Sequence, residues 1–336
     1  MSDAVQGDAA RGATRALAPL STGWGAIWRD GLIAAAAWFV AAVVTVASPD
    51  VVPWGSTQLW AELLAGGAAI LLVAAFAVQR LGKVGRVLAH YGPWLVALGV
   101  VFAVWEVATA KTGWLPKPFF SPPQGLLHVY LVDTKRLVYC VLFSLRLWAY
   151  GFGSGIVAGF LIGVALGWSK RFAYWGMPIL KLIGPVPATA WIPISFFVLP
   201  TTFAASIFLV ALASGIPVAI LTASGVASVN RAFYDVARTL GARERFLVWK
   251  VAVPGSLPHV FVGLFMGLYY SFAVLVVAEM LGAKYGLGWY LAFQTGYSAY
   301  ANVYATLVIM ALLCSGLVKL LFVTRDRLLA WQKGII

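Results

Sequence analysis

The stretch that decides the fold is Asp235-Val-Ala-Arg-Thr-Leu-Gly241, which continues after nine residues to Val251-Ala-Val-Pro254. It is a short amphipathic segment between two long hydrophobic runs, and it concentrates three arginines, Arg238, Arg243 and Arg245. A polar segment held tightly between two apolar runs predicts a loop helix between membrane spans. Such a helix is well placed to dock on a soluble partner.

The composition predicts a polytopic membrane protein. Of the 336 residues, 62% are hydrophobic and 10% are charged, whereas a soluble domain carries about 25% charged residues. Eight hydrophobic runs approach or exceed the roughly 20 residues that cross about 30 Å of hydrocarbon. Backbone groups in lipid must be paired within their own segment, so the runs should be helices. They are 31–48, 60–79, 93–110, 138–167, 174–199, 203–226, 257–281 and 302–323.

The fifth run, 174–199, differs from the others in its proline content. It contains Pro178, Pro185, Pro187 and Pro193. Proline removes a helical hydrogen bond and clashes with the preceding turn, so this run is predicted to be a kinked or interrupted helix pair.

The basic residues predict topology rather than nucleic-acid binding. The net charge is +13, but Lys and Arg are scattered singly between apolar runs instead of forming one patch. Because short cytoplasmic loops carry the excess of Lys and Arg, eight spans with both termini in the cytoplasm fit best, although the outer segment 111–137 is also basic. Residues 1–29 are expected to be a cytoplasmic tail. The alternative, a cleaved signal peptide, is disfavoured by the length of its apolar core.

No pattern in the sequence predicts an enzyme. The run Gly82-Lys83-Val84 lacks the upstream glycine and the hydroxyl of a P-loop, so this chain is not expected to hydrolyse ATP. His90, His128 and His259 have no neighbouring ligands at metal-site spacing. No catalytic residue, metal ion or bound cofactor is expected in this chain. Two cysteines lie inside apolar runs and are interpreted as packing residues: Cys140 and Cys314.

The spacing of the 235–254 stretch resembles the EAA loop of bacterial ABC-importer permeases. The pattern of that loop is Glu-Ala-Ala, three residues, Gly, nine residues and Ile-x-Leu-Pro. Asp235 and Val236 stand for the Glu and the first Ala, and Val251 and Val253 replace Ile and Leu. Three positions match unchanged: Ala237, Gly241 and Pro254.

The resemblance extends over about residues 93–330. Ser144-Leu-Arg146, the proline-rich run from Pro185 to Pro193, Val277-Ala-Glu279-Met-Leu281 and Gly286-Leu-Gly-Trp289 are similar to segments of one importer subfamily. That subfamily carries nitrate, taurine, alkane sulfonates and bicarbonate. The resemblance implies a permease subunit that forms the translocation path for such an anion.

The resemblance also implies a fold and a set of partners. The fold would be the type I ABC importer transmembrane domain, with a six-span core at 93–330. Residues 30–92 fall outside the resemblance and are predicted from their two apolar runs to form an accessory two-span hairpin. The partners would be a second copy of the permease, two cytoplasmic ATPase subunits that bind ATP-Mg, and a periplasmic or lipid-anchored substrate-binding protein. The location would be a bacterial inner membrane.

Two groups of site residues follow from the resemblance and from buried charge. The cytoplasmic loop 227–256 would couple to the ATPase through Asp235, Ala237, Arg238, Gly241, Arg243, Glu244 and Pro254. The translocation path is expected to involve Arg146, Trp191, Pro193, Ser195 and Glu279. An intramembrane ion usually faces a bundle interior or water, so Arg146 would contact an anionic substrate, snorkel to the interface, or pair with Glu279.

Two alternatives remain at this point. A self-contained secondary transporter would be expected to show inverted repeats and midplane polar residues, and neither is clear in this sequence. A membrane-embedded enzyme lacks a catalytic constellation. One further stripe of small residues predicts close helix packing rather than a site: Gly151, Gly155, Gly159 and Gly163.

Overall fold

The computed structural model describes residues 28–78 and 80–330, and every regular element within these ranges is helical. The expected tail at 1–29 lies almost entirely outside the described residues. By its internal contacts the chain divides into two compact units, Met1–Lys117 with Pro122–Gly125 and Pro118–Ser121 with Leu126–Ile336. The predicted all-α membrane fold is confirmed.

The first unit is built on three long helices that coincide with the first three predicted spans. α1 and α2 run antiparallel, since Ala42 packs with Leu64 while the Trp28 backbone N–H donates to Ala75 O over 3.1 Å. α4 runs beside α1, with the Trp38 indole donating to Leu95 O over 2.9 Å. The helices of this unit are α1 (Arg29–Ala47), α2 (Thr57–Ala77), α3 (Gly82–His90) and α4 (Gly92–Lys111).

The end of α4 is tied to the end of α1 by a buried ammonium group. Lys111 Nζ donates to Thr45 O (2.6 Å), Ser48 O (2.7 Å) and Asp50 Oδ1 (2.6 Å), and lies 3.7 Å from Glu106 Oε1. These oxygens compensate the loss of water around the charge. α4 therefore packs on the hairpin that the sequence treats as accessory. The predicted domain boundary at residue 92 stays a prediction.

The remaining helices carry most of the predicted core. They are α5 (Pro123–Val132), α6 (Thr134–Trp168), α7 (Lys170–Ile183), α8 (Ile192–Val198), α9 (Thr202–Ser228), α10 (Arg231–Thr239), α11 (Glu244–Gly282), α12 (Leu287–Gly296) and α13 (Tyr300–Leu328). The 3₁₀ turn Ala188–Trp191 precedes α8, and α11 is π-helical over Leu247–Ala252.

α6 and α9 pack side by side along a row of glycines. A Cβ atom on any of these glycines would overlap an atom of α9, so the two backbones approach as closely as glycine permits. The predicted role of the glycine stripe is confirmed. In order along α6, the pairs are Gly151 with Val210, Gly155 with Ser214, Gly159 with Gly215, Gly163 with Ala219, and Gly167 with Val226. Because both sets of numbers rise together, α6 and α9 are parallel.

Parallel packing determines the path of the proline-rich segment between the two helices. Gly151 and Gly167 are 16 positions apart, so the seam is roughly 24 Å long at about 1.5 Å per residue. The chain must return over this length before α9 begins. α7 and the 188–198 segment, bent by 91° at their break, make that return. Counted as one broken span, this pair raises the candidate spans among the described residues from seven to the predicted eight.

The other long helices complete an alternating arrangement. α11 is antiparallel to α9, because Gly263 contacts Val218 whereas the later Gly267 contacts Ser214. α13 returns beside α11, with Phe265 and Phe322 rings 4.2 Å apart. α6, α9 and α13 thus end at the same end of the second unit, called the basic end because it carries Lys170, Arg171, Arg231, Arg325 and Arg327. The end at which α6 and α9 begin is called the opposite end.

The glycine seam predicts that a glycine-to-alanine substitution destabilises the protein at a seam position but not at another position of α6. Gly159→Ala should destabilise the protein by about 1–3 kcal/mol, because its methyl group would overlap the backbone carbonyl of Gly215. Gly153→Ala is the matched control in the same helix, since a Cβ there meets no atom within 4 Å. Thermal unfolding of the detergent-purified protein measures both variants. Equal melting temperatures for the two variants would contradict the close packing.

Candidate functional site

The EAA-like segment, residues 230–254, follows α9 at the basic end and comprises α10, the turn after it and the first part of α11. Its helix α10 is preceded by Asn230, whose side-chain Oδ1 accepts a hydrogen bond from the Ala232 N–H over 3.0 Å. This is an N-cap, which satisfies one of the otherwise unpaired donors of the first turn. The capping residue explains why a helix of only nine residues begins directly after the membrane span.

α10 ends in a Schellman motif centred on Gly241. The Gly241 N–H donates to Arg238 O over 2.9 Å, and the Ala242 N–H donates to Ala237 O over 3.0 Å. Gly241 has φ +80°, a left-handed conformation that other residues rarely adopt. A Cβ here would meet no atom within 4 Å. Backbone conformation, rather than crowding, therefore accounts for the glycine of the motif.

One aromatic residue attaches α10 to the helix bundle. The Tyr234 ring packs edge-on against Trp168 at the end of α6, with 5.6 Å between ring centroids. The surrounding cluster includes Val226 of α9 and Ala252 of α11, and burial raises the pKa of the Tyr234 hydroxyl above its usual range. α10 is thereby packed against three long helices at once.

The face of α10 that points away from the bundle is apolar and has no partner within the described chain. Phe233 is 64% exposed, Val236 60% and Leu240 83%, and their spacing places them along one side of the helix. An open groove of about 500 Å³ lies beside Leu240 and is bounded by Phe246. Large exposed apolar side chains in a group mark an interaction surface.

Exposed charges surround this apolar face. Arg238 Nη2 and Glu244 Oε1 form a pair at 3.3 Å, and both side chains are more than half exposed. Such a pair contributes only about 0–1 kcal/mol, so it can be exchanged for contacts with a partner. Asp235 and Arg243 are likewise exposed. Pro254 lies just after the π-helical part of α11, Leu247–Ala252.

At the opposite end, the buried carboxylate of Glu279 holds the start of α12. Glu279 is 0% exposed, and its Oε2 accepts hydrogen bonds from the Ser144 hydroxyl (2.9 Å) and the Gly288 N–H (2.8 Å). Ser144 Oγ in turn accepts from the Leu287 N–H over 2.8 Å. Side chains of α6 and α11 thus supply the N-terminal caps that α12 lacks locally.

The proposed pair between Arg146 and Glu279 is not formed. The Arg146 guanidinium lies over the rings of Phe203 (5.5 Å) and Tyr150 (6.0 Å), and it has no carboxylate partner among the described residues. The sequence places the two charges near each other along the membrane normal but cannot show that they face different neighbours. Glu279 is occupied by Ser144 and α12, whereas Arg146 is exposed.

The remaining predicted path residues lie at the break between α7 and α8. Trp191 packs against the buried residues Leu209 and Val274, and its indole N–H is buried without a partner among the described residues. The Ser195 hydroxyl donates to Ile192 O over 2.9 Å and is itself buried. Pro193 occupies the first turn of α8. Their contact with a translocated substrate stays a prediction.

A second set of contacts that the sequence did not reveal also positions α12. The buried Tyr290 hydroxyl donates to Asp133 Oδ2 over 2.7 Å, and Asn302 Nδ2 donates to Tyr290 Oη over 2.6 Å. Burial, followed by the bond to Asp133, raises the pKa of Tyr290 to about 12, so the phenol keeps the proton that it donates. These three residues are 12 to 169 positions apart, and no local motif connects them.

Comparisons with known proteins agree on one family. The family described as binding-protein-dependent transport system inner membrane component matches residues 155–330. The nitrate import permease protein NrtB of Synechococcus elongatus is 29% identical over 254 residues, which cover 73% of this chain and 89% of that protein. A probable ABC transporter permease protein of Brucella abortus is 30% identical over 241 residues, covering 71% of this chain and 95% of that one.

Two further similarities concern an anion transporter and a solved structure. The putative aliphatic sulfonates transport permease protein SsuC of Bacillus subtilis is 28% identical over 253 residues, 73% of this chain and 90% of that protein. A chain of the MetNI methionine ABC transporter in inward-facing conformations superposes with a TM-score of 0.50 at 20% identity. The superposition covers 59% of this chain and 96% of that one, and it supports the fold alone.

The cap on α12 predicts a strong effect at one glycine. Gly286 has φ +120°, and a Cβ there would lie 2.5 Å from the Glu279 carboxyl carbon. Gly286→Ala should destabilise the protein by about 1–3 kcal/mol through backbone strain and displacement of Glu279. Gly296→Ala, at the other end of α12, meets no atom within 4 Å and is the control. Thermal unfolding compares them, and an unchanged melting temperature for Gly286→Ala would show that the cap is dispensable.

Proposed function

The chain belongs to the family of binding-protein-dependent transport inner membrane components, and on that basis we propose that it forms the translocation path of an ATP-driven importer for a small anion or organic sulfonate. Relatives named for nitrate and aliphatic sulfonates share 29% and 28% identity with it, and a bicarbonate permease, CmpB of Synechococcus elongatus, shares 28% over 204 residues. All three named substrates are oxyanions. The shared chemistry supports an anionic substrate for this chain.

The observation that carries the proposal is the exposed apolar face of α10 at Phe233, Val236 and Leu240. In an importer of this kind the face docks on a cytoplasmic ATPase subunit, and two such subunits, each with ATP-Mg, serve two copies of the permease. A periplasmic or lipid-anchored binding protein delivers the substrate. Enrichment of apolar and Arg side chains at protein interfaces supports docking here.

The same geometry supports a mechanism of coupling. When ATP binding draws the two ATPase subunits together, α10 moves with them. Tyr234 passes the movement to α6, α9 and α11 through the cluster around Trp168. The rigid α6–α9 pair then rotates as a body between inward-open and outward-open states. The binding protein shifts this equilibrium only by its differential affinity for the two states.

The distribution of charge supports an orientation in which the basic end is cytoplasmic. Parallel packing of α6 and α9 brings the basic loops after both helices to the same end, and α13 ends there with Arg325 and Arg327. Positive residues in short loops favour the cytoplasmic side. In this orientation both termini are cytoplasmic, in a bacterial inner membrane. The opposite end, with Arg146, then faces the binding protein.

Copurification discriminates this function from a self-contained secondary transporter. An importer permease brings an ATPase subunit with it and shows ATP hydrolysis that rises when the binding protein is added. A secondary transporter transports in liposomes without any ATPase. Purification of the tagged chain from its native membrane, followed by mass spectrometry of the associated subunits, separates the two.

The docking proposal predicts a specific uncoupling at Gly241. Gly241→Val should hold the helix end in a conformation that costs about 1–3 kcal/mol at φ +80°, so the EAA-like segment rearranges. Substrate uptake should fall strongly while the protein remains in the membrane. Gly241→Asn is the control, because Asn tolerates the left-handed conformation at a helix end. Uptake by the Val variant equal to that of the Asn variant would reject the role of this turn in coupling.

A further inference from the structure

A cleft at the opposite end combines two cations with aromatic walls. It has a volume of about 310 Å³ and lies where α6, the start of α9 and the loop after α11 meet. Arg146 and Lys284 provide the positive charge, and Phe143, Phe203 and Tyr285 provide the aromatic surface. No acidic residue lines it. The cleft is therefore suited to an anion that also carries apolar surface.

Arg146 is available to a ligand. Its guanidinium contacts the ring faces of Phe203 and Tyr150 but no carboxylate of the described chain. The nearby acid that the sequence suggested as its partner, Glu279, is buried and already accepts two hydrogen bonds. A guanidinium presents paired N–H donors that match the oxygens of a carboxylate or another oxyanion.

Lys284 is positioned by the cap that Glu279 forms. The loop after α11 is short, running from Gly282 to the start of α12 at Leu287, and its α12 end is held against α6 and α11 by the hydrogen bonds of Ser144 and Glu279. The exposed Lys284 side chain lies in this loop next to Tyr285. Two cations from separate elements thus reach one cleft, and neither is paired with an acid among the described residues.

The aromatic walls of the cleft indicate that the bound anion also carries an apolar group. The Phe143 ring centroid lies 5.8 Å from that of Phe203 and 6.1 Å from that of Tyr285, so the three rings form one continuous surface. A volume of about 310 Å³ falls in the range of sites for organic ligands and far exceeds a four-atom inorganic anion. An inorganic anion would fill only part of the cleft and would make no apolar contact with the rings.

We infer that this cleft is a receiving site for a short-chain organic anion, with a sulfonate or carboxylate group held by Arg146 and Lys284 and an apolar chain against Phe143, Phe203 and Tyr285. The inference rests on the proposed function and narrows it from small anions in general to organic anions. Relatives named for nitrate and for aliphatic sulfonates are similar to this chain at 29% and 28% identity, so sequence identity does not separate these substrates. The aromatic lining of the cleft favours an organic anion over nitrate.

Saturation-transfer difference NMR on the permease–ATPase complex in phosphatidylcholine nanodiscs tests the site, with propane-1-sulfonate as the probe. The expected result is saturable binding, with the strongest saturation on the terminal methyl protons because they lie against the rings. Arg146→Gln and Lys284→Gln should each weaken binding about tenfold or more, as expected for loss of a charged hydrogen-bond donor. Arg136→Gln is the matched control, since Arg136 lies on the same helix over Trp289 and Phe293 and outside the cleft.

Two competition experiments distinguish a free organic anion from an inorganic anion and from a lipid headgroup as the ligand of the cleft. Sodium nitrate should displace the probe at least about tenfold less well than butane-1-sulfonate, because it makes no contact with the rings. Replacing part of the lipid with phosphatidylglycerol should leave probe binding unchanged. Displacement by phosphatidylglycerol would assign the cleft to a lipid headgroup, and displacement by nitrate as strong as by butane-1-sulfonate would overturn the organic class.

The inference and the proposed function fail in different ways. Absence of saturable probe binding, or binding unaffected by both Arg146→Gln and Lys284→Gln, overturns the cleft assignment even if the complex hydrolyses ATP in response to its binding protein. Absence of an associated ATPase overturns the proposed function whether or not the probe binds. Retained copurification of the ATPase with each variant shows that loss of binding is not loss of folding.

Discussion

The structure depends on the backbone contact between α6 and α9. Five glycines of α6 meet α9 where no larger residue fits, and the two helices are held parallel along roughly 24 Å. Parallel neighbours in a membrane require a third element that returns the chain, and the proline-rich α7–α8 pair is that element. The same contact brings the ends of α6 and α9 together, so that α10 can be fixed to both by Tyr234. The EAA-like segment is therefore attached to a rigid pair rather than to a single helix.

Much of the fold could be predicted from the sequence because membrane spans are a property of local composition. Eight apolar runs, the broken run at 174–199 and the glycine stripe were all predicted, and each corresponds to an observed element. The packing of α4 on α1 could not be predicted, since it depends on Lys111 reaching the carbonyl oxygens of Thr45 and Ser48 across more than 60 positions. Hydropathy reports that a helix lies in the membrane but not which neighbour it contacts.

The candidate sites show the same division between local and non-local information. Gly241 could be identified from the EAA-like spacing, because the left-handed helix end that needs it is encoded within a few residues. The partner of Glu279 could not, because the choice between Arg146 and Ser144 depends on which faces of α6 and α11 meet. Ser144 and Arg146 are only two positions apart on α6. Ser144 is nevertheless buried against α12, whereas Arg146 lies exposed in a cationic cleft. Lys284 carries no sequence signal beyond its charge.

The central claim is that the apolar face of α10 is the contact with an ATPase subunit, and site-specific photocrosslinking measures it directly. A benzophenone amino acid at Leu240, the most exposed residue of that face, should form an adduct with the ATPase subunit, and its yield should change between the nucleotide-free and vanadate-trapped states. The same probe at the exposed Leu312 of α13 is the control and should give no ATPase adduct. An assembled, ATP-hydrolysing complex that gives no adduct at position 240 in either state would contradict the account.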